Sequence, residues 1–233
     1  MLDDFIKELH RFKSKKDAEI LQRFFKTGKG EYGEGDIFIG VRVPQTRSVV
    51  QEYFKKLSLK EIQKLINSKI HEERLAGFLL LVKKFEKEKD EKAREDYFNF
   101  YLKNAKKANN WDLVDLSSHK LVGNFLLNKE RKVLYDFAKS TNLWEKRISI
   151  VATYSFIRQS DFQDTLKISE VLLSDSHDLI HKAVGWMLRE VGKKDKKVLE
   201  KFLEKNYKKM PRTALRYSIE KFPEEERKSW LKK

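Results

Sequence analysis

Cysteine is absent from the 233-residue chain, which excludes disulfides, thiolate nucleophiles and Cys-ligated zinc or iron–sulfur centres. Proline occurs only at 44, 211 and 223, so little interrupts helical propagation. Long apolar runs are also missing. The longest covers residues 76 to 82, far below the roughly 20 needed to cross a bilayer, so no membrane partner is expected. The opening MLDDFIKELHRFKSKK lacks the apolar core of a signal peptide, and a cytoplasmic, nucleoid-associated location is expected. Acidic residues are outnumbered, 36 against 51 Lys and Arg, leaving a net charge of +15. That excess predicts a polyanionic partner. With 40% hydrophobic residues, the chain has a core to bury and is not kept open by its charge.

Apolar residues recur at helical spacing everywhere except a glycine-rich stretch at about 27–43, so the chain reads as one all-α domain over 1–233. Ser58 and Glu61 have capping-box spacing, and Pro44 and Pro211 suit a first helical turn. Four segments share a charged entry followed by a small-and-large apolar face: EERLAGFLLLV, EKRISIVATYSFI, HKAVGWMLREV and RTALRYSIEKF. They align on Arg74, Arg147, Lys182 and Thr213, and WDLVDLSSHKLVG joins them with Asp112 in the same column. Steps of 38, 35, 35 and 31 residues suit helix hairpins stacked into a solenoid. The alternative is a plain bundle of similar amphipathic helices.

Two motifs invite over-reading. GKGEYG, with Gly28, Gly30 and Gly33, matches the letters of a dinucleotide fingerprint, but a helical pattern precedes it and an extended one follows, the reverse of what a βαβ turn needs. No cofactor is expected. His177 and His181 in HDLIH lie one helical turn apart, yet no third ligand is near and Asp178 stands where a zinc protease has Glu. A helix start carrying surface histidines, and no metal, is expected.

NNWDLVD carries more. Trp111 and Asp115 are spaced i and i+4, which puts an aromatic plate and a carboxylate on one side of a helix. The plainer alternative packs Trp111 in the core and leaves Asp112 or Asp115 to cap the helix or pair with a lysine. In the repeat frame Trp111, Asp115, Arg147 and Trp186 fall at −1, +3, 0 and +4, within about a 140° sector of equivalent helices. They are expected to face one groove. Trp186 shares its column with Phe78, Val151 and Tyr217, so a core position and a groove position both remain open for it.

At these residues the chain resembles the DNA alkylation repair protein family, the HEAT-like repeat glycosylases of the AlkD type. The specific stretches are FIGVRVPQTR (38–47), NNWDLVDLSS (109–118), LWEKRISIVATYSFIR (143–158), HDLIHKAVGWMLREVGKKD (177–195) and MPRTALRYSIEKF (210–222). The resemblance implies an all-α, HEAT-like repeat α-solenoid with a concave basic groove. It also implies a monofunctional glycosylase that removes positively charged N7- and N3-alkylated purines from double-stranded DNA. The family's site positions map onto Asp115, Trp111 and Trp186 as catalytic residues, with Arg147 and both tryptophans binding DNA. Retention of Asp115 separates the chain from branches that bind DNA without excising a base. A further aromatic near the N-terminus is implied; the glycine-rich loop breaks the register there, and Phe24 is the candidate the chain offers.

These residue types suit the chemistry. An alkylated purine is already cationic and leaves without a general acid, while a carboxylate stabilises the oxocarbenium-like sugar and orients water. Indole faces attract a cationic nucleotide by about 0.5 to 2 kcal/mol per contact, and an arginine fork matches phosphate without reading a base. A repeat surface offers no obvious base-shaped cavity, and the resemblance implies recognition from the backbone and sugar side, with the base left largely in the duplex. The protein is expected to act as a monomer. Two rivals remain: a non-catalytic HEAT-repeat scaffold for bent or damaged DNA, and a HEAT-type protein adaptor whose charge serves solubility.

Overall fold

The computed structural model describes residues 1–232, whose regular structure is helical, with turns, short extended connections and one isolated parallel bridge between Ile37 and Ile70. Helices follow one another with short connections, and the fold class is all-α, of the HEAT-like repeat kind. Two compact units are present, Met1–Ser117 and a second beginning at Ser118.

In the first unit, α1 (Leu2–His10) and α2 (Lys15–Phe24) precede the glycine-rich stretch, followed by α3 (Val43–Tyr53), α4 (Leu59–Ile66), α5 (His71–Lys87) and α6 (Glu91–Lys103). The start of α7 (Trp111–Ser118) closes the unit. Helix α5 is its centre: α3, α4 and α6 all pack against it, and every residue from His71 to Val82 is buried. Its charged opening HEER is therefore buried along with the apolar residues that follow. The capping box is present at α4, where Ser58 Oγ accepts the Glu61 N–H and Glu61 accepts the Ser58 N–H. Pro44 lies in the first turn of α3.

The glycine-rich stretch forms successive turns in which Glu31 and Glu34 accept the amides of Gly28 and Gly30. The following residues run extended to α3, so nothing there builds a dinucleotide turn. This extended segment is anchored from two sides. The Ile37 carbonyl accepts the His71 N–H, and the buried Glu72 carboxylate accepts the amides of Ile39, Gly40 and Val41 at 2.8–3.2 Å. Gly40 has φ +83°, and a Cβ there would stand 2.1 Å from the Ser14 carbonyl oxygen, so only glycine fits.

The second unit opens with a π-helical turn, His119–Gly123, and continues through α8 (Lys132–Ala138), α9 (Leu143–Ala152), α10 (Tyr154–Arg158), α11 (Gln163–Leu172), α12 (Asp178–Lys194), α13 (Lys196–Asn206), α14 (Arg212–Ser218) and α15 (Glu224–Lys232). Hairpin partners pack as the repeat frame requires: α8 on α9, α11 on α12, and α9, α12 and α14 in succession. The approach of α12 to α14 is set by Gly185, where a Cβ would fall 2.6 Å from the Ala214 carbonyl. Pro211 is the N-cap of α14.

Candidate active site

Helix α7 begins at Trp111 because Asn110 turns its side-chain oxygen onto the Trp111 N–H at 2.8 Å. One turn on, Asp115 shares the face of Trp111. Both are half-buried, and both line a cavity of about 400 Å³ in the first unit. The walls are mostly apolar, with Phe24, Phe25 and Phe38 opposite Leu75 and Leu116. The cavity departs from the expectation that a repeat surface offers no recess beside the carboxylate. It exists because the segment between α2 and α3 folds over α5 and α7.

The rings form an ordered stack. Trp111 lies 5.0 Å from Phe25 at 19°, Phe25 lies 5.0 Å from Phe38 at 17°, and Phe38 lies 4.3 Å from the His71 imidazole at 23°. Phe24 meets the Trp111 edge at 5.8 Å and 73°, and is 61% exposed. The structure therefore brings Phe24, the N-terminal aromatic candidate, to the same cavity as Trp111 and Asp115.

Behind the stack sits a buried polar network. His71 Nδ1 contacts Asp36 at 3.1 Å and its Nε2 contacts Asp112 at 2.8 Å. Asp36 also accepts from Arg74 and from Asn110, and Arg74 donates to Asn109. Burial alone would drive the proton off His71, but the charge and hydrogen bond of Asp112, with the bond to Asp36, outweigh it and lift the pKa to about 9. Burial would raise the Asp36 carboxyl, yet its bonds to His71, Arg74 and Asn110 hold it below the usual carboxylate range. Asp112 thus pairs with a histidine rather than a lysine, and its second oxygen accepts the Leu113 N–H. On the other side of α7, Tyr101 donates or accepts at Ser117 at 2.9 Å, and its hydroxyl titrates above the ordinary range through burial, with the Asp115 charge adding to the effect.

In the second unit, Arg147 on α9 is 5% exposed and donates to the Leu179 carbonyl at the start of α12. Trp186 on α12 is half-buried, and its ring lies 6.4 Å from that of Tyr154, which meets His119 edge-on at 5.4 Å. Along the +4 column exposure rises from Phe78 and Val151, both fully buried, through Trp186 to Tyr217 at 36%. Trp186 is therefore neither a sealed core residue nor a free surface indole.

The model of the DNA alkylation repair enzyme family matches residues 5–222. The chain belongs to that family. Its membership supports a role in alkylation repair and a DNA partner. A solved structure, the predicted DNA alkylation repair enzyme from Enterococcus faecalis, is similar with a TM-score of 0.71 and 16% identity, covering 91% of this chain and 97% of that one. At that identity the likeness speaks for the fold. No curated protein sequence matches. Among the described residues no helix is long and apolar enough to cross a membrane.

In this DNA alkylation repair protein the two histidines of HDLIH make hydrogen bonds at the start of α12. His177 caps α12 by accepting the Leu179 N–H at 3.1 Å, and His181 bonds the Asp175 carbonyl. Sequence reasoning missed Phe25, Phe38, His71 and Asp36, which line or underlie the cavity. Their contacts span tens of residues in sequence, and the only local signal was the FIGVRVPQTR stretch that includes Phe38.

Proposed function

We propose that the protein is a monofunctional DNA glycosylase that hydrolyses the N-glycosidic bond of cationic N7- and N3-alkylated purines in duplex DNA. The observation that carries this reading is the placement of a half-buried carboxylate, Asp115, one turn from Trp111 at a recess walled by aromatic rings. As the C1′–N bond lengthens, its electron pair passes to the cationic purine, which departs neutral. The Asp115 carboxylate opposes the positive charge growing on the sugar and aligns water for attack at C1′. The water proton passes to the carboxylate and on to solvent, leaving an abasic site.

Trp111 and Phe24 meet the cationic nucleotide through their ring faces and edges, and Trp186 is assigned a contact to DNA. Arg147 is assigned a backbone phosphate, a role that requires its guanidinium to turn from the Leu179 carbonyl toward the duplex.

Incubation with duplex carrying one N7-methylguanine, followed by chromatography, tests the reading. Wild-type protein releases the free base. Asp115→Asn keeps duplex affinity and loses about 10²- to 10³-fold in single-turnover rate, because shape is retained while charge is removed. Parental excision by the Asn variant would sink the mechanism. Absence of any release with tight binding would favour the scaffold.

A further inference from the structure

The network beneath the cavity contains two carboxylates, Asp36 and Asp112, one guanidinium, Arg74, and one imidazole, all no more than 6% exposed. Its charge balances only when the imidazole is protonated, and both ring nitrogens face carboxylate oxygens that can only accept. We propose that His71, held as a doubly donating imidazolium between Asp36 and Asp112, is a positioning residue that sets Trp111 and Asp115 for excision. This inference rests on the glycosylase reading only for its kinetic consequence.

Two linkages carry the effect. The first runs through the backbone: Asp112 lies in the first turn of α7 between the two functional residues, and Asp36 holds Asn110, which in turn caps the Trp111 amide. The second runs through the rings, since the imidazole stacks on Phe38, Phe38 on Phe25, and Phe25 on Trp111. When His71 loses its proton it donates to one carboxylate only, and the other is left buried beside an acceptor. Either α7 or the 36–42 segment must then shift.

The groups facing His71 are Asp36 from the extended segment, Asp112 from α7, and Arg74 and Glu72 from its own helix. Glu72 is turned to the amides of residues 39–41, and Arg42 and Asp115 stand farther along the same cavity. Arg74 and Asn110 also donate to Asp36, whereas the Asp112 oxygen that faces the imidazole takes its hydrogen bond from His71.

The test has a structural arm and a kinetic arm. In ¹⁵N-edited NMR of the wild-type protein, His71 should carry two N–H protons at neutral pH and lose one near pH 9. The Trp111 indole N–H signal, assigned by Trp111→Phe, should move with the same midpoint. In the kinetic arm, single-turnover excision corrected for uncatalysed loss should fall along an alkaline limb near pH 9. Asp112→Asn should move that limb to lower pH and cost about 10- to 100-fold in rate through misplacement of the reacting groups. A purely structural role would lower the melting temperature of Asp112→Asn and leave the limb where it was. A single ring N–H at neutral pH, an indole signal indifferent to the His71 titration, or an unmoved limb overturns the proposal. If Asp112→Asn does not fold, the wild-type NMR arm decides. If wild-type protein excises nothing, the glycosylase reading fails, and the NMR arm still judges the positioning of Trp111.

Discussion

Asp115 and Trp111 are neighbours by helix geometry, whereas Phe24, Phe25, Phe38 and His71 reach them only through the fold. Each residue can be judged by what its removal exposes. Trp186 packs beside Tyr154 and is half-buried, so Trp186→Ala should lower stability by about 1–2 kcal/mol, below the 3–5 kcal/mol of a sealed aromatic core site. Excision per folded molecule should fall as well. A thermal melt paired with single-turnover excision reads both, and a loss as large as a core truncation with normal excision would remove Trp186 from the site.

The histidine under the stack makes a thermodynamic prediction of its own. Its ordinary pKa of 6.5 applies in the unfolded chain and rises to about 9 on folding, so the folded state holds the proton more tightly. That contribution is complete below pH 6.5 and is lost as pH climbs through about 9. It amounts to something on the order of 3 kcal/mol. Urea unfolding on the two sides of this window should show the decline. His71→Phe, which keeps a ring in the stack, should be destabilised at neutral pH because Asp36 and Asp112 lose the donor they share.

Among the elements, the extended segment at 37–42 decides whether the cavity exists, because it carries Phe38 and closes over α5. Its anchor is the Glu72 carboxylate with three main-chain amides. Glu72→Gln removes the charge and one acceptor, and should cost about 2 to 3 kcal/mol, since buried amides are left without a partner. Gly40→Ala should be worse, given the positive φ and the Ser14 carbonyl in the way of a Cβ. By contrast Ser58→Ala, at an exposed cap, should cost about 1 kcal/mol. Chemical denaturation of the three variants orders them, and a Glu72→Gln loss no larger than that of Ser58→Ala would contradict the anchor. The cap was legible in the spacing of Ser58 and Glu61 because capping is local. The anchor was not, because it joins residues 31 to 33 positions apart.

At the scale of the whole molecule, the net charge of +15 should give salt-sensitive binding to undamaged duplex. Neutralising about six to ten phosphates would weaken affinity by about 10³- to 10⁵-fold between 50 and 200 mM salt. A flat titration would favour the protein-adaptor reading.

Periodicity, the scarcity of proline and the repeat columns were enough to determine an all-helical chain of hairpins, because helix formation and its registers are encoded at spacings of three and four residues. The pairing of Trp111 with Asp115 was legible for the same reason. Tertiary structure alone decided that the charged column at Arg74, Asp112 and Arg147 is buried, that Asp112 answers to His71, and that a recess opens beside Asp115. Burial and ion pairing depend on which distant segments pack together, and a charge in a repeat column looks the same in sequence whether it meets solvent or a buried partner.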